Sequence, residues 1–408
     1  MSNLAQGATS THDISARDIA TPETRPGFVT NLVQEQWLQS LAARVGAWIG
    51  ARGSRPIRVG NNVLALTHAH VSELLSRDLE FRIGPVNADK INAVNGPFVL
   101  GMDRDTTLTV ERSALYLALS KVDFAPITRE VAGAAAAMVA GAAQIDVVED
   151  YARPIAARTA TSLFGITGPD DAFFKDVVRA IFGHIFLNLG NDTEVESRAI
   201  AAAGLLRAWF LAEIEKRRAA DTPGNDMMGV LLRAGHDDDT VRRTLGGMLV
   251  GSIDPTASSV AKIIAVVTRD AALKASIAAD VDDPRRLAGW CWEALRRWPH
   301  NPIVLRQAAI ATTLGTCEVR AGDRIIAWTH AAMQDASAFP APGQLRPDRP
   351  ISPYLHFGGG LHPCAGRAVN GFQIPILVGA LVRRGIKSCG PMKWAGPFPA
   401  HLAVTFER

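Results

Sequence analysis

Apolar residues recur at three- and four-residue spacing along most of the chain and alternate only in short runs, the mark of a mainly helical protein. Over 31–51 the positions Leu32, Trp37, Leu38, Leu41, Val45, Trp48 and Ile49 predict one helix. Residues 57–66 predict a hairpin turning at Gly60-Asn61, and Thr67 is placed to cap a helix carrying Val71, Leu74 and Leu75. Residues 77–105 hold no period and contain Gly84, Pro85, Gly96 and Pro97, so a long loop is expected there. Further helices are expected at about 106–119, 127–141, 149–164 and 170–188, and one from the break at Gly190-Asn191-Asp192 to about 219. A short helix at 227–232 precedes the longest apolar helical run, 240–268, which Pro255 interrupts. Helices at 271–280 and 286–298, strands within 308–327, a proline-rich meander at 340–353, a helix at 365–384 and a terminal strand pair complete the pattern. It predicts a mainly α fold with small β-sheets at the edge, with 1–27 as a flexible leader and 28–408 as one domain.

Composition narrows the classes of function. The 408 residues can bury a large core, and 43 basic residues against 40 acidic ones give no polycationic character suited to nucleic acid. Four scattered cysteines make no disulfide framework, which suits a reducing cytoplasm. The polar N-terminus reads as neither signal nor anchor, and no window of about 18 uninterrupted apolar residues is present, so no membrane anchor is expected.

Chemistry concentrates at 356–367, where Cys364 follows three glycines and precedes a helix. Glycines allow positive φ and close approach, and a thiolate at a helix N-terminus is stabilised by N–H groups and the dipole. Such a thiolate suits an axial haem ligand; a buried structural cysteine at a loop–helix junction is the alternative. The spacing Phe357-x-x-Gly360-x-His362-x-Cys364-x-Gly366 resembles the signature loop of the cytochrome P450 family. The resemblance implies that fold, haem b as cofactor and Cys364 as the ligand to its iron. Phe357 would then pack on the ligand side of the haem, Gly360 and Gly366 would make room for loop and porphyrin, and His362 would reach a propionate.

Other residues extend the resemblance. Glu293 and Arg296, three apart on an apolar helix, form on their own an ordinary pair of the kind usually left in solvent. Their placement about seventy residues before Cys364 resembles the family's E-x-x-R motif, which implies a buried network with Arg349. Arg306 stands where the family has a propionate-binding arginine. The histidine usual on the helix after the long loop is missing, leaving Arg112 as the surviving arginine and Arg104 as a substitute. At Gly251-Ser252-Ile253-Asp254-Pro255-Thr256 the resemblance is imperfect, because Pro255 replaces the threonine that helps deliver protons in dioxygen activation.

The resemblance implies a monooxygenase acting on a hydrophobic small molecule, with electrons from a separate ferredoxin and its NAD(P)H-dependent reductase. Asp254 would be the proton-relay acid, with Ser252, Thr256 or water compensating for Pro255. A peroxide-using or hydroperoxide-rearranging enzyme is the alternative, and a non-catalytic haem-based ligand-binding protein a further one. Phe81, Phe98, Phe182, Phe186, Leu249, Ile303 and Val304 are the expected pocket lining; for Ile303 and Val304 plain core packing is the competing reading. Arg367, Arg104, Arg112 and Lys90 are the expected partner-facing cations.

Overall fold

A computed structural model describes residues 36–53, 55–188, 190–395 and 398–407, so the expected leader lies outside the described residues. The first half comprises α1 (Gln36–Gly53), β1 (Ile57–Val59), β2 (Asn62–Ala65), α2 (His68–Ser76), β3 (Phe81–Arg82), α3 (Gly84–Val94), α4 (Thr106–Lys121), α5 (Phe124–Val139), β4 (Gln144–Asp146), α6 (Arg153–Phe164), α7 (Asp171–Phe182) and α8 (Thr193–Ala219). The second half adds α9 (Met227–Arg233), α10 (Asp238–Val250), α11 (Asp254–Val267), α12 (Ala271–Ala279), α13 (Pro284–Arg297), β5 (Val304–Ala308), β6 (Thr312–Leu314), β7 (Cys317–Val319), β8 (Arg324–Ala327), α14 (Thr329–Ala332), α15 (Arg367–Arg384), β9 (Ile386–Cys389), β10 (Lys393–Ala395), β11 (Phe398–His401) and β12 (Ala403–Phe406).

Side-chain caps set many helix starts. Thr67 accepts from His70 N, and Asp105, Asp170, Asp192, Asp237 and Asp283 cap α4, α7, α8, α10 and α13. The expected loop at 77–105 is instead largely structured. Pro85 sits in the first turn of α3, where its missing N–H costs nothing, and Asp103 accepts from the N–H groups of Ile83 and Gly84. The strand order β1-β2-β8-β5-β3 makes a five-stranded edge sheet in which β2 runs parallel to β8. A second sheet, β4-β12-β9, and two hairpins complete the β portion.

The core is helical and α11 runs through it, with every residue except Pro255 and Ala265 buried. The segment Asp238–Val267 is the one stretch among the described residues long and apolar enough to cross a membrane, but 78% of its most apolar window lies inside the protein. It is the central pair α10–α11. Its interruption falls at 251–253, before Pro255, because proline fits the first turn of a new helix and not the interior of an old one. The N–H and the hydroxyl of Ser252 both turn back to Leu249 O, at 3.0 and 2.6 Å, closing α10 one turn early.

Candidate functional site: a haem-thiolate cradle

The cysteine loop is built as its glycines demand. Gly358 and Gly360 both take φ of 65°, and a Cβ at Gly360 would run into the carbonyl of Leu75. Gly360 therefore makes room for α2, whereas Gly366 lies beside the sulfur, its Cβ position 3.5 Å from Cys364 Sγ. Cys364 N donates to Phe357 O at 2.8 Å, and Phe357 packs edge-on against Trp292 at 5.7 Å. Burial pushes the Cys364 thiol up, opposed by the N–H groups of Gly366 and Arg367 at the start of α15. The side chain is nonetheless accessible. A desolvated sulfur with open surface looks into an internal recess, not out from the protein.

The scaffold beneath the loop is anchored on Glu293, which is fully buried and receives five donors. Arg296 donates from Nε at 2.7 Å and from a terminal nitrogen at 2.9 Å; Arg349 Nε, Arg346 N and Tyr354 Oη donate at 3.2, 2.9 and 2.6 Å. Burial would raise this carboxylate, but Arg296, Tyr354 and the Arg346 N–H hold it below the usual range. Tyr354 stacks on His356 at 5.2 Å, and His356 Nε2 meets Trp292 O at 2.9 Å, which carries the network into the cysteine loop.

Two arginines and a histidine gather at one side of that loop. Arg306 is 4% exposed and makes no ion pair among the described residues; it donates to the neutral carbonyl of Leu305, and burial holds its guanidinium down to about 10. His362 Nε2 contacts Met102 O at 2.8 Å, and Arg112 donates to Leu361 O. Burial lowers the His362 pKa, and Arg306 and Arg112 lower it further. A buried guanidinium without a counter-ion is costly unless an anion meets it. Cys364 facing a recess, with Arg306, His362 and Arg112 at its edge, is a donor set that fits a haem: one thiolate for iron and cations for two propionates. Arg104 does not belong to this set. It is 54% exposed and paired with Asp78 at 2.7 Å. A cavity of about 430 Å³ bordered by Arg104, Arg112, Tyr116 and Leu361 adjoins the loop.

Across the recess stands the break between α10 and α11. Gly251 is exposed although Val250, Ile253 and Asp254 are buried. Pro255 has no N–H to offer the Gly251 carbonyl, as an uninterrupted helix would. Asp254 is 3% exposed; its Oδ1 receives Arg179 at 2.7 and 2.9 Å and lies 3.2 Å from Arg153 Nε. These arginines also meet Glu149 and Asp176, which reach solvent. Asp254 Oδ2 is buried without a partner. Thr256 donates to Ser252 O at 2.7 Å and lies 3.0 Å from Asn370 Oδ1 on α15, so both helix hydroxyls are engaged within the protein.

The expected pocket lining divides. Phe182 and Phe186 stack at 4.9 Å, and Ile303 and Val304 are partly accessible. Phe98 is buried against Gly247 of α10. Phe81 and Leu249 correct the expectation. Phe81 pairs with Ala308 in the edge sheet and packs in its separate small core, while Leu249 is fully buried in the main one. Alternation along β3 and the helical face of α10, not a cavity, decide both. Lys90 is corrected too: it donates to Asn188 O and ties α3 to the turn before α8, away from the cysteine loop. Residues the sequence reading missed are Arg153, Arg179, Lys262, His300, Tyr354 and Asn370. Their only sequence signal was a polar type within an apolar run.

The sequence profile described as Cytochrome P450 matches residues 185–384. The chain is 27% identical over 270 residues to nocardicin C N-oxygenase of Nocardia uniformis and 28% identical over 250 residues to cytochrome P450-SU2 of Streptomyces griseolus. These matches cover 64% and 60% of this chain and 65% and 59% of the relatives, so the chain spans about three fifths of the curated relatives it matches. The solved structure of CalO2 superposes with a TM-score of 0.78 at 19% identity, covering 94% of this chain and 99% of that one. That of the versatile cytochrome P450 enzyme CYP109B1 from Bacillus subtilis gives 0.72 at 16% identity, covering 89% and 99%. The chain has the cytochrome P450 fold, mainly α with small peripheral sheets.

Proposed function

We propose that the protein is a haem-thiolate monooxygenase that inserts one oxygen atom from dioxygen into a hydrophobic small organic molecule. Similarity in sequence and fold to cytochrome P450 enzymes supports an oxidoreductase. The observation that carries the reading is Cys364, held with its sulfur toward an interior recess at the N-terminus of α15, with the unpaired Arg306 guanidinium nearby. Cys364 would ligate the iron of haem b; His362, Arg306 and Arg112 would hold its propionates. Bound haem would supply the redox and oxygen-activating chemistry.

The protein's own share is positioning and proton traffic. Helix α11 with Phe182 and Phe186 would keep the distal side apolar. The proton carrier would be the Asp254 carboxylate itself, which Arg179 and Arg153 hold between the solvent-reaching carboxylates Glu149 and Asp176 and the break at 251–253; the guanidiniums position it and carry no proton. Electrons come from a separate ferredoxin and its NAD(P)H-dependent reductase. Arg112, Arg104 and Arg367 around the cysteine loop are the cations an acidic partner would meet.

A second reading keeps a specific support. The hydroxyls of Ser252 and Thr256 are both engaged within the protein and Pro255 carries none, which suits an enzyme that takes peroxide or rearranges a hydroperoxide. Reconstituted protein should give, after reduction and carbon monoxide, the strongly red-shifted Soret band of thiolate ligation, and Cys364→Ser should abolish it. A band unchanged in that variant overturns the site. Product formed with NAD(P)H and surrogate redox proteins supports the first reading; turnover with peroxide alone supports the second.

A further inference from the structure

His300 lies between the end of α13 and β5, in the segment that runs on to Ile303, Val304 and Arg306. Its ring is 5.9 Å from that of Phe182, which in turn meets Phe398 at 5.8 Å. Arg179, the partner of Asp254, stacks over the same Phe398 at 5.2 Å. His300 therefore stands on the distal side, in an aromatic wall shared with the Asp254 network. Among the described residues it has no hydrogen-bond partner. Its Nδ1 is buried without a partner, while Nε2 is not among the buried unpartnered atoms and the residue as a whole is partly accessible.

The ring's state follows from its neighbours. Burial, then the charge of Lys262, push the His300 pKa down to about 3, so the imidazole is neutral at ordinary pH. Lys262 is 2% exposed, donates to Pro299 O at 2.9 Å and lies over the rings of Trp298 and Trp394 at 5.5 and 5.9 Å. Among the described residues no carboxylate pairs with it. A neutral imidazole carries one N–H. An unpartnered lone pair at Nδ1 is the cheaper group to bury, and it faces a local positive charge favourably, so the proton belongs on Nε2. That puts one N–H donor, and no acceptor, into an otherwise aromatic recess.

We propose that His300 is a specificity-determining residue, whose Nε2–H anchors an acceptor oxygen of a substrate with an aromatic or aliphatic body. The inference rests on the reading of this recess as the substrate side of a haem-thiolate enzyme. It goes further in naming the chemistry: a carbonyl, hydroxyl, ether or carboxylate oxygen held away from the reacting carbon, not a bare hydrocarbon.

Three probes with one body test it in the reconstituted protein by calorimetry: butylbenzene, 4-phenylbutanol and 4-phenylbutanoate. The two oxygenated probes should bind about fivefold more tightly than butylbenzene, the worth of one neutral hydrogen bond. A larger ratio for the carboxylate would assign the oxygen to an anion drawn by Lys262; equal ratios would assign it to a neutral acceptor, and both support the anchor. In His300→Leu the preference should vanish with butylbenzene binding retained, and His300→Gln, which keeps an N–H donor, should restore part of it. Oxygenated probes that bind the unaltered protein no better than butylbenzene, or a preference that survives in His300→Leu, overturn the proposal. Loss of the carbon monoxide band would instead strike the haem-thiolate reading, and the binding ratio does not depend on it.

Discussion

Replacing Glu293 by glutamine is the sharpest probe of how the cysteine loop is held. The carboxylate is fully buried and accepts five hydrogen bonds, three of them from two guanidinium groups. Glutamine keeps the shape but loses the charge and turns one acceptor oxygen into a donor. Arg296 retains the carbonyls of Met333, Pro342 and Gln344, and Arg349 those of Pro340 and Ala341. Those bonds hold the guanidiniums in place without neutralising them, so the site passes from one net positive charge to two. Breaking one partner out of a buried network costs about 3–5 kcal/mol. Unfolding entropy near 2.1 cal/mol/K per residue over a chain this long makes each kcal/mol worth about 1.2 °C, so the apparent Tm should fall by about 4–6 °C.

Tyr354→Phe removes the single 2.6 Å bond to the same carboxylate and should cost about 1.5–3 kcal/mol. Because Tyr354 has only this charge to serve, the double variant should be far less destabilised than the sum of the two. Thermal scans of the four proteins at fixed haem concentration, with Soret absorbance and far-UV circular dichroism followed together, read the coupling directly. A Tm within about 1 °C of the unaltered protein for Glu293→Gln, or strictly additive losses, would refute the view that one carboxylate organises the meander.

Arg306→Leu should act oppositely on two states: the haem-free protein gains stability by about 1–3 kcal/mol on losing an unpaired buried cation, while the loaded protein sheds haem faster to apomyoglobin. The same sign in both states would mean that Arg306 serves no anion. Asp254→Asn should slow dioxygen-driven turnover by roughly 10²-fold, with a larger solvent isotope effect and peroxide-driven turnover much less affected. Equal loss in both assays would make Asp254 a purely structural partner of Arg153 and Arg179. Lys262→Met should stabilise the protein at pH 7 by up to roughly 4 kcal/mol, because burial holds the ammonium down to about 7 against about 10.4 in the unfolded chain. Between those values the unfolded chain binds more protons, so the lysine protein gains stability as pH rises and the gap between the two should close by about pH 10. A gap that does not change with pH would show the charge to be fully satisfied by Trp298, Trp394 and the Pro299 carbonyl.

What could be read from the chain and what could not divide along a physical line. Local rules found the helices because a buried face repeats every three or four residues, and they found the glycine turns because φ of 65° at Gly358 and Gly360 excludes most side chains. They failed at 77–105 because a three-turn helix beginning at Gly84-Pro85 has too few buried residues, Ile91 and Val94, to leave a period. They placed Phe81 in the pocket because an aromatic ring in an irregular stretch looks the same whether a cavity or a small sheet core receives it. Polar partners were the hardest to see. Glu293 and Arg296 share a helix and so leave a spacing, but Arg179 lies 75 residues before Asp254, and Tyr354 lies 61 after Glu293. Nothing in one sequence says that such groups meet. Where a buried polar group does find its partner, as Glu293 does, the arrangement explains support. Where it does not, as at Arg306, the unmet group points toward what the protein binds; at His300 the buried Nδ1 goes unpartnered, which leaves Nε2 as the free donor. In the readings proposed above, Arg306 would meet the anionic edge of the cofactor and His300 an acceptor oxygen of the substrate. The same reasoning, desolvation without a partner inside the chain, leads to both.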